Sequence, residues 1–147
     1  MNTPADFFVS FAKQDIRWAR WITGILQRAG HRVVFQEQDM LPGHNVVRQM
    51  QIGTAAARTI AVLSPDYLKR PYPMSEWAAA YVKDPIGVER KLIPVMVRRC
   101  SPPGLLAPIV RIDLMGLDQD EARHRLLSGV SPRRPEFLVE PPFPGDA

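Results

Sequence analysis

Two stretches of this chain combine chemically capable side chains with positions where a site could form. One runs from Ser64 to Trp77, leaving an apolar strand-sized run and entering a helical pattern. The other is the polar loop Gln36-Glu37-Gln38-Asp39-Met40-Leu41-Pro42-Gly43, whose Pro-Gly pair is a strong turn signal. A third candidate is the single cysteine. Cys100 follows Arg98-Arg99, which could lower its pKa, but no partner histidine is evident and a partly buried structural thiol is the better reading. His31, His44 and His124 are scattered, with no cysteine or acid at ligand spacing, so no metal site is expected.

Several chemistries lose support outright. The chain has no Gly-x-Gly-x-x-Gly, no Gly-Lys-Ser/Thr phosphate loop and no Gly-x-Ser-x-Gly elbow. One cysteine excludes an internal disulfide framework. No apolar run approaches the ~18–20 residues of a membrane span, and the first residues lack a secretory pattern, so the expected compartment is the cytoplasm, with no membrane partner. The net charge is +4 over 147 residues. Lys69-Arg70, Arg90-Lys91 and Arg98-Arg99 could face an anion or nucleic acid. A solvated basic face is the plainer reading, and without interleaved aromatics no nucleic-acid partner is expected.

The elements that must position these residues follow from periodicity. Residues 7–11, 31–35, 59–63, 92–97 and 109–114 read as strands; 59–63 is apolar throughout, as a strand buried on both faces should be. Asp15 reads as an N-cap for a helix carrying Trp18, Ile22, Ile25, Leu26 and Ala29 on one stripe, and Gly30 as its C′ residue. Asn45, Ser75 and Asp118 read as caps of three further helices, and Ser64-Pro65 as the start of a short helical turn. Pro94 would by itself demote its strand to an edge. Strands alternating with helices through short connections predict a parallel sheet covered on both faces, with ligands at the strands' carboxyl ends. Residues 1–130 form the domain. The proline-rich stretch 131–147 reads as a linker or tail, with further domains expected beyond it.

Four boxes in order resemble the Toll/interleukin-1 receptor (TIR) domain of bacterial, NAD-cleaving type. They are Asp6-Phe7-Phe8-Val9-Ser10-Phe11 with Asp15 and Trp18 downstream; the 36–43 loop; Ile60-Ala61-Val62-Leu63-Ser64-Pro65-Asp66-Tyr67-Leu68; and Glu76-Trp77. The resemblance spans residues 6 to about 129. It implies a flavodoxin-like three-layer α/β fold with a five-stranded parallel sheet and helices on both faces, with the strand 92–97 inside the sheet despite Pro94.

For function, the resemblance implies an NAD glycohydrolase that releases nicotinamide and leaves linear or cyclic ADP-ribose. NAD is then a substrate, and no cofactor or metal is implied. The family's catalytic glutamate lies twelve residues past the serine ending the third strand and four past an aromatic, which here gives Glu76 and Tyr72. Pro73 departs from the polar or cysteine residue usual after that aromatic. Such a carboxylate can follow the oxocarbenium charge that develops as a neutral leaving group departs. Phe11 or Tyr72 can wall the substrate, and Glu37 or Asp39 can close the loop over it. The plainer readings are Glu76 complementing a helix dipole, Phe11 in the core and Asp39 as a solvated loop acid. Trp77 and Trp18 are expected inside, with Trp21 on a contact surface. The expected partners are NAD and further TIR copies, through self-association. The alternative is a non-catalytic TIR–TIR interaction module using the 36–43 loop and helix faces. Ribosyltransfer on another glycoside is a weaker third reading.

Overall fold

The computed structural model describes residues 5–36, 42–69, 76–133 and 136–145, with residues 46, 49, 50, 54 and 76 described in backbone only. Five parallel strands form one sheet in the order β2-β1-β3-β4-β5: β1 (Phe7–Ser10), β2 (Val33–Val34), β3 (Arg58–Leu63), β4 (Leu92–Met96) and β5 (Ile112–Asp113). This is the flavodoxin-like order, whose switch point lies between β1 and β3. The connections are α1 (Ile16–Arg28), α2 (Val46–Thr54), the single turn α3 (Pro65–Leu68), α4 (Glu76–Lys83) and, after β5, α5 (Gln119–Val130).

Alternation along the strands divides the core into two layers. Phe7, Val9, Ile60, Val62, Ile93 and Val95 face one side, where Ile22 and Leu26 of α1 and Leu126 of α5 cover them. Ala61, Leu63, Leu92 and Met96 face the other, against Tyr67 of α3 and Trp77 and Ala80 of α4. Each large apolar side chain so buried contributes about 1.5–3 kcal/mol. On the second face α2 passes close to β1. A Cβ built on Gly53 would lie 2.7 Å from the Phe8 ring, so this helix packs by lacking a side chain there.

The helix ends show the expected caps. Asn45, Ser64 and Asp118 accept from the backbone N–H groups of Arg48, Tyr67 and Glu121. Gly30, at φ 94°, closes α1: its N–H donates to Gln27 O and that of His31 to Leu26 O, the paired bonds of a Schellman motif. Ser75 lies outside the described residues. The α1 stripe differs at its margins, since Ala29 is exposed while Ala19 and Thr23 are buried.

Two expectations are corrected. The strands expected at 31–35 and 109–114 shrink to two residues each, because both lie at sheet edges with a ladder on one side only. Asp15 occupies the N-cap position but makes no capping bond; its carboxylate is used elsewhere. Pro94 sits in an interior strand, between β3 and β5, as the resemblance implies and against the edge rule taken alone. Thr59 N–H donates to Lys91 O and Val97 N–H to Leu63 O, so the odd residues of β4 bond β3. Leu114 N–H donates to Met96 O, so the even ones face β5. Pro94 therefore turns its missing donor toward β5, one residue before that pairing begins at Val95 and Ile112.

The carbonyls ending α5 are held by two arginines: Arg58 donates to Val130 O, and Arg90 to Gly129 O and Ser131 O. Cations there complement the helix dipole, and the bonds hold both guanidinium groups in place. Beyond Ser131 the described residues form no helix or strand, and those from 136 onward are exposed. No helix among the described residues is long and apolar enough to cross a membrane.

Candidate functional site

The carboxyl ends of β1, β3 and β4 meet at one rim, and a polar network ties them together. Ser10, the last residue of β1, shares a 2.8 Å hydrogen bond with the Tyr67 hydroxyl of α3. Ser64, just past β3, donates from its hydroxyl to the Asp15 carboxylate. Arg98, just past β4, donates to Asp15 from Nε at 3.0 Å and pairs with it through Nη2 at 2.9 Å. The same Nη2 reaches Asp66 at 2.6 Å, and Asp66 also pairs with Lys69 at 3.3 Å. Asp15 has 1% of its side chain exposed, so it is a buried charge that survives by being both paired and hydrogen-bonded.

Charge assistance governs the electrostatics here. The Arg98 hydrogen bond holds the Asp66 carboxyl below the usual carboxylate range, outweighing its partial desolvation. Asp66 in turn raises Arg98. Cys100 moves the other way. Burial pushes its thiol up, more than Arg111 and Arg98 pull it down, so this half-buried cysteine is held toward the thiol form. Arg98 and Lys69 thus pair with carboxylates of the chain, and Arg90 donates to its backbone carbonyls.

Two cavities flank the network. Phe11, Lys13, Ile16 and Gln36 line one of about 400 Å³, past the ends of β1 and β2. Phe11 is half-buried, its ring 5.4 Å from that of Phe35 and tilted 42° to it. It is both a core contact and a cavity wall, so the two readings of this residue are compatible. Trp18 and Trp21 line the second, about 680 Å³, together with Asp15, Arg98 and the start of α5. Trp21 is half-buried on the core and meets Trp18 edge to face at 6.0 Å. Trp77 is in the core, as expected.

Glu76 is the first residue of α4, the helix that returns from the β3 end to the start of β4. A right-handed crossover must begin at the strands' carboxyl side, so the backbone of Glu76 stands at the same rim. Its side chain, and Tyr72, Glu37 and Asp39 entirely, lie outside the described residues. Among the site residues read from sequence, Phe11 alone has a described side chain. Gln36 opens the polar loop singled out in the sequence, whereas Lys13 and Ile16 were missed although their nearness to Phe11 was a usable signal. The network of Asp15, Ser64 and Arg98 was missed because its members are 49 and 83 residues apart.

Residues 7–127 match the family model of the TIR domain. No curated protein matches the chain. Among solved structures, the TIR domain of the Toll-related receptor TRR-2 from Hydra magnipapillata is similar at 25% identity and a TM-score of 0.62, over 84% of this chain and 94% of that one. A metazoan TIR-STING receptor from C. gigas, in complex with 2′,3′-cGAMP, is similar at 22% identity and a TM-score of 0.66, over 86% of this chain and 41% of that one. At this identity the second likeness concerns the fold.

Proposed function

Because this chain belongs to the TIR domain family, we propose that it is an NAD glycohydrolase acting in bacterial defence or signalling, switched on by assembly. The observation that carries the reading is the start of α4 at Glu76, on the carboxyl rim of the sheet. Ligands of open α/β sheets occupy that rim, close to the switch point between β1 and β3. The bond broken is the nicotinamide–ribose C–N bond. Its electrons leave with nicotinamide, and positive charge spreads over the ribose C1 and ring oxygen. Glu76, as a carboxylate, stabilises that charge and holds the ribose hydroxyls; water or the adenine ring then takes C1, giving the linear or cyclic product. Phe11 offers its exposed face to a base, with Tyr72 as the second wall, and Lys13 offers a cation to the pyrophosphate. Glu37 or Asp39 closes the loop over the ribose.

Assembly enters as the step that selects the arrangement competent for cleavage. The test is nicotinamide release by the purified chain over a wide range of enzyme concentration. A rate rising faster than enzyme concentration supports the reading; strict proportionality removes the assembly step, and no release at any concentration removes the activity.

A second reading, a non-catalytic module that recruits other TIR copies, draws on the likeness to a Toll-related receptor's TIR domain. It predicts partner binding that is indifferent to Glu76→Gln, and no NAD cleavage.

A further inference from the structure

Two apolar surfaces stand open to solvent in the same molecule, and their shapes and charges complement each other. The first is a cavity of about 1080 Å³ at the β5 edge, walled by Ile93, Ile109 and Ile112 and by the α5 surface at Gly129. It exists because β5 pairs with β4 only from Val95 onward, which leaves the first half of β4 without a strand on that side. Ile86 and Val110 stand on its lip, 84% and 91% exposed. Arg90, Arg111 and Arg125 ring it against Asp113 and Glu121, leaving a basic excess. The cavity lies on the amino side of β4, far along the strand from the Glu76 rim.

The second surface is the chain's own proline-rich stretch. Phe137, Leu138, Val139 and Phe143 are between 72% and 95% exposed, a run of bare apolar side chains flanked by Glu136 and Glu140. Prolines 141, 142 and 144 restrict the backbone around Phe143, and the chain bends at Leu138 and Val139. The stretch departs at Ser131, whose carbonyl is held by Arg90, itself a wall of the cavity.

We propose that residues 136–143 of one chain fill the β5-edge cavity of a second copy, in reciprocal exchange. A second copy is favoured because within one chain both surfaces stay open side by side. The area suffices. Phe137 and Phe143 of both chains, at ~150–250 Å² for each ring, with an equal area of the walls they cover, reach the ~1,200–2,000 Å² of a stable interface. Glu140 against a basic rim fixes the direction. The contact is independent of NAD chemistry, and its test reads mass rather than turnover.

The experiment is sedimentation equilibrium on the full chain from micromolar to submillimolar concentration. Three proteins are compared: the parent, the double variant Phe137→Asp/Phe143→Asp, and the double variant Ile86→Asp/Val110→Asp. All four positions are exposed, so circular dichroism and melting temperature should match the parent. The parent should dimerise, and each variant should dissociate with a constant raised about tenfold or more. Mixing the variants should restore a heterodimer, because one keeps its cavity and the other its tail. Variants that associate like the parent, a mixture that stays monomeric, or a parent monomeric throughout would each overturn the proposal. A tail variant that melts earlier than a monomeric parent would put the tail on its own chain, which also overturns it.

Discussion

Asp15→Ala should destabilise the fold by about 3 kcal/mol, the low end of what removing one partner of a buried ion pair costs. Asp15 accepts from Ser64 and twice from Arg98, with 1% of its side chain exposed. Ser64 is fully buried, so its orphaned hydroxyl donor alone costs about 1–3 kcal/mol. Arg98 adds less than a buried cation would, because it is 44% exposed, can take up water and keeps Asp66. For a chain of this size 3 kcal/mol corresponds to a fall in melting temperature of roughly 6–12 °C. Asp15→Asn, which still accepts from Ser64, should lose only about half as much. The assay is urea unfolding followed by circular dichroism, completed by the Arg98→Met single and double variants. The pair should couple by more than about 0.5 kcal/mol. An unchanged midpoint in Asp15→Ala, or strict additivity with Arg98→Met, would refute the network as a stabilising unit.

Other outcomes follow from other contacts. Gly53→Ala should destabilise by about 1–2 kcal/mol despite its better helix propensity, since the new Cβ meets the Phe8 ring; a stabilised variant in thermal melts would refute that close approach. Acid should weaken the fold through Asp84, whose carboxyl is held low chiefly by the Lys91 N–H, joined by the Glu89 N–H. A depressed folded pKa gives stability that is complete above the unfolded value near ~4 and is lost as pH falls through the folded one. Asp84→Asn should therefore flatten the stability profile below about pH 4. Gly43, at φ 98°, should tolerate no side chain without strain. Gly43→Ala should keep the parent's circular dichroism while reducing nicotinamide release at high protein concentration, and an unchanged rate there would detach this loop from assembly.

The strands and helix caps were legible because their signals are local. The apolar run 59–63, the caps Asn45, Ser64 and Asp118, and Gly30 each announce themselves within a few residues. Edge strands were overextended because β propensity cannot tell one neighbour from two. Asp15 was misread for a related reason: an acid before a helix looks like a cap, and the arginine that claims it lies 83 residues away. Pro94 shows a rule overridden by register, since its missing donor happens to face the side where pairing has not begun. The site was legible as a position on the rim, through Glu76 and Phe11, but its polar scaffold was written in long-range contacts.

The direct test of the enzymatic reading compares nicotinamide release by the parent chain and Glu76→Gln at a concentration where the parent assembles. An amide of equal size cannot follow the charge on the ribose, and loss of such a preorganised electrostatic partner typically costs ~10²–10³-fold in rate. The parent should therefore cleave NAD while Glu76→Gln, equally folded and still binding NAD, falls by that factor. Equal rates in the two proteins would contradict Glu76 as the catalytic residue, and no cleavage by either would contradict the activity itself.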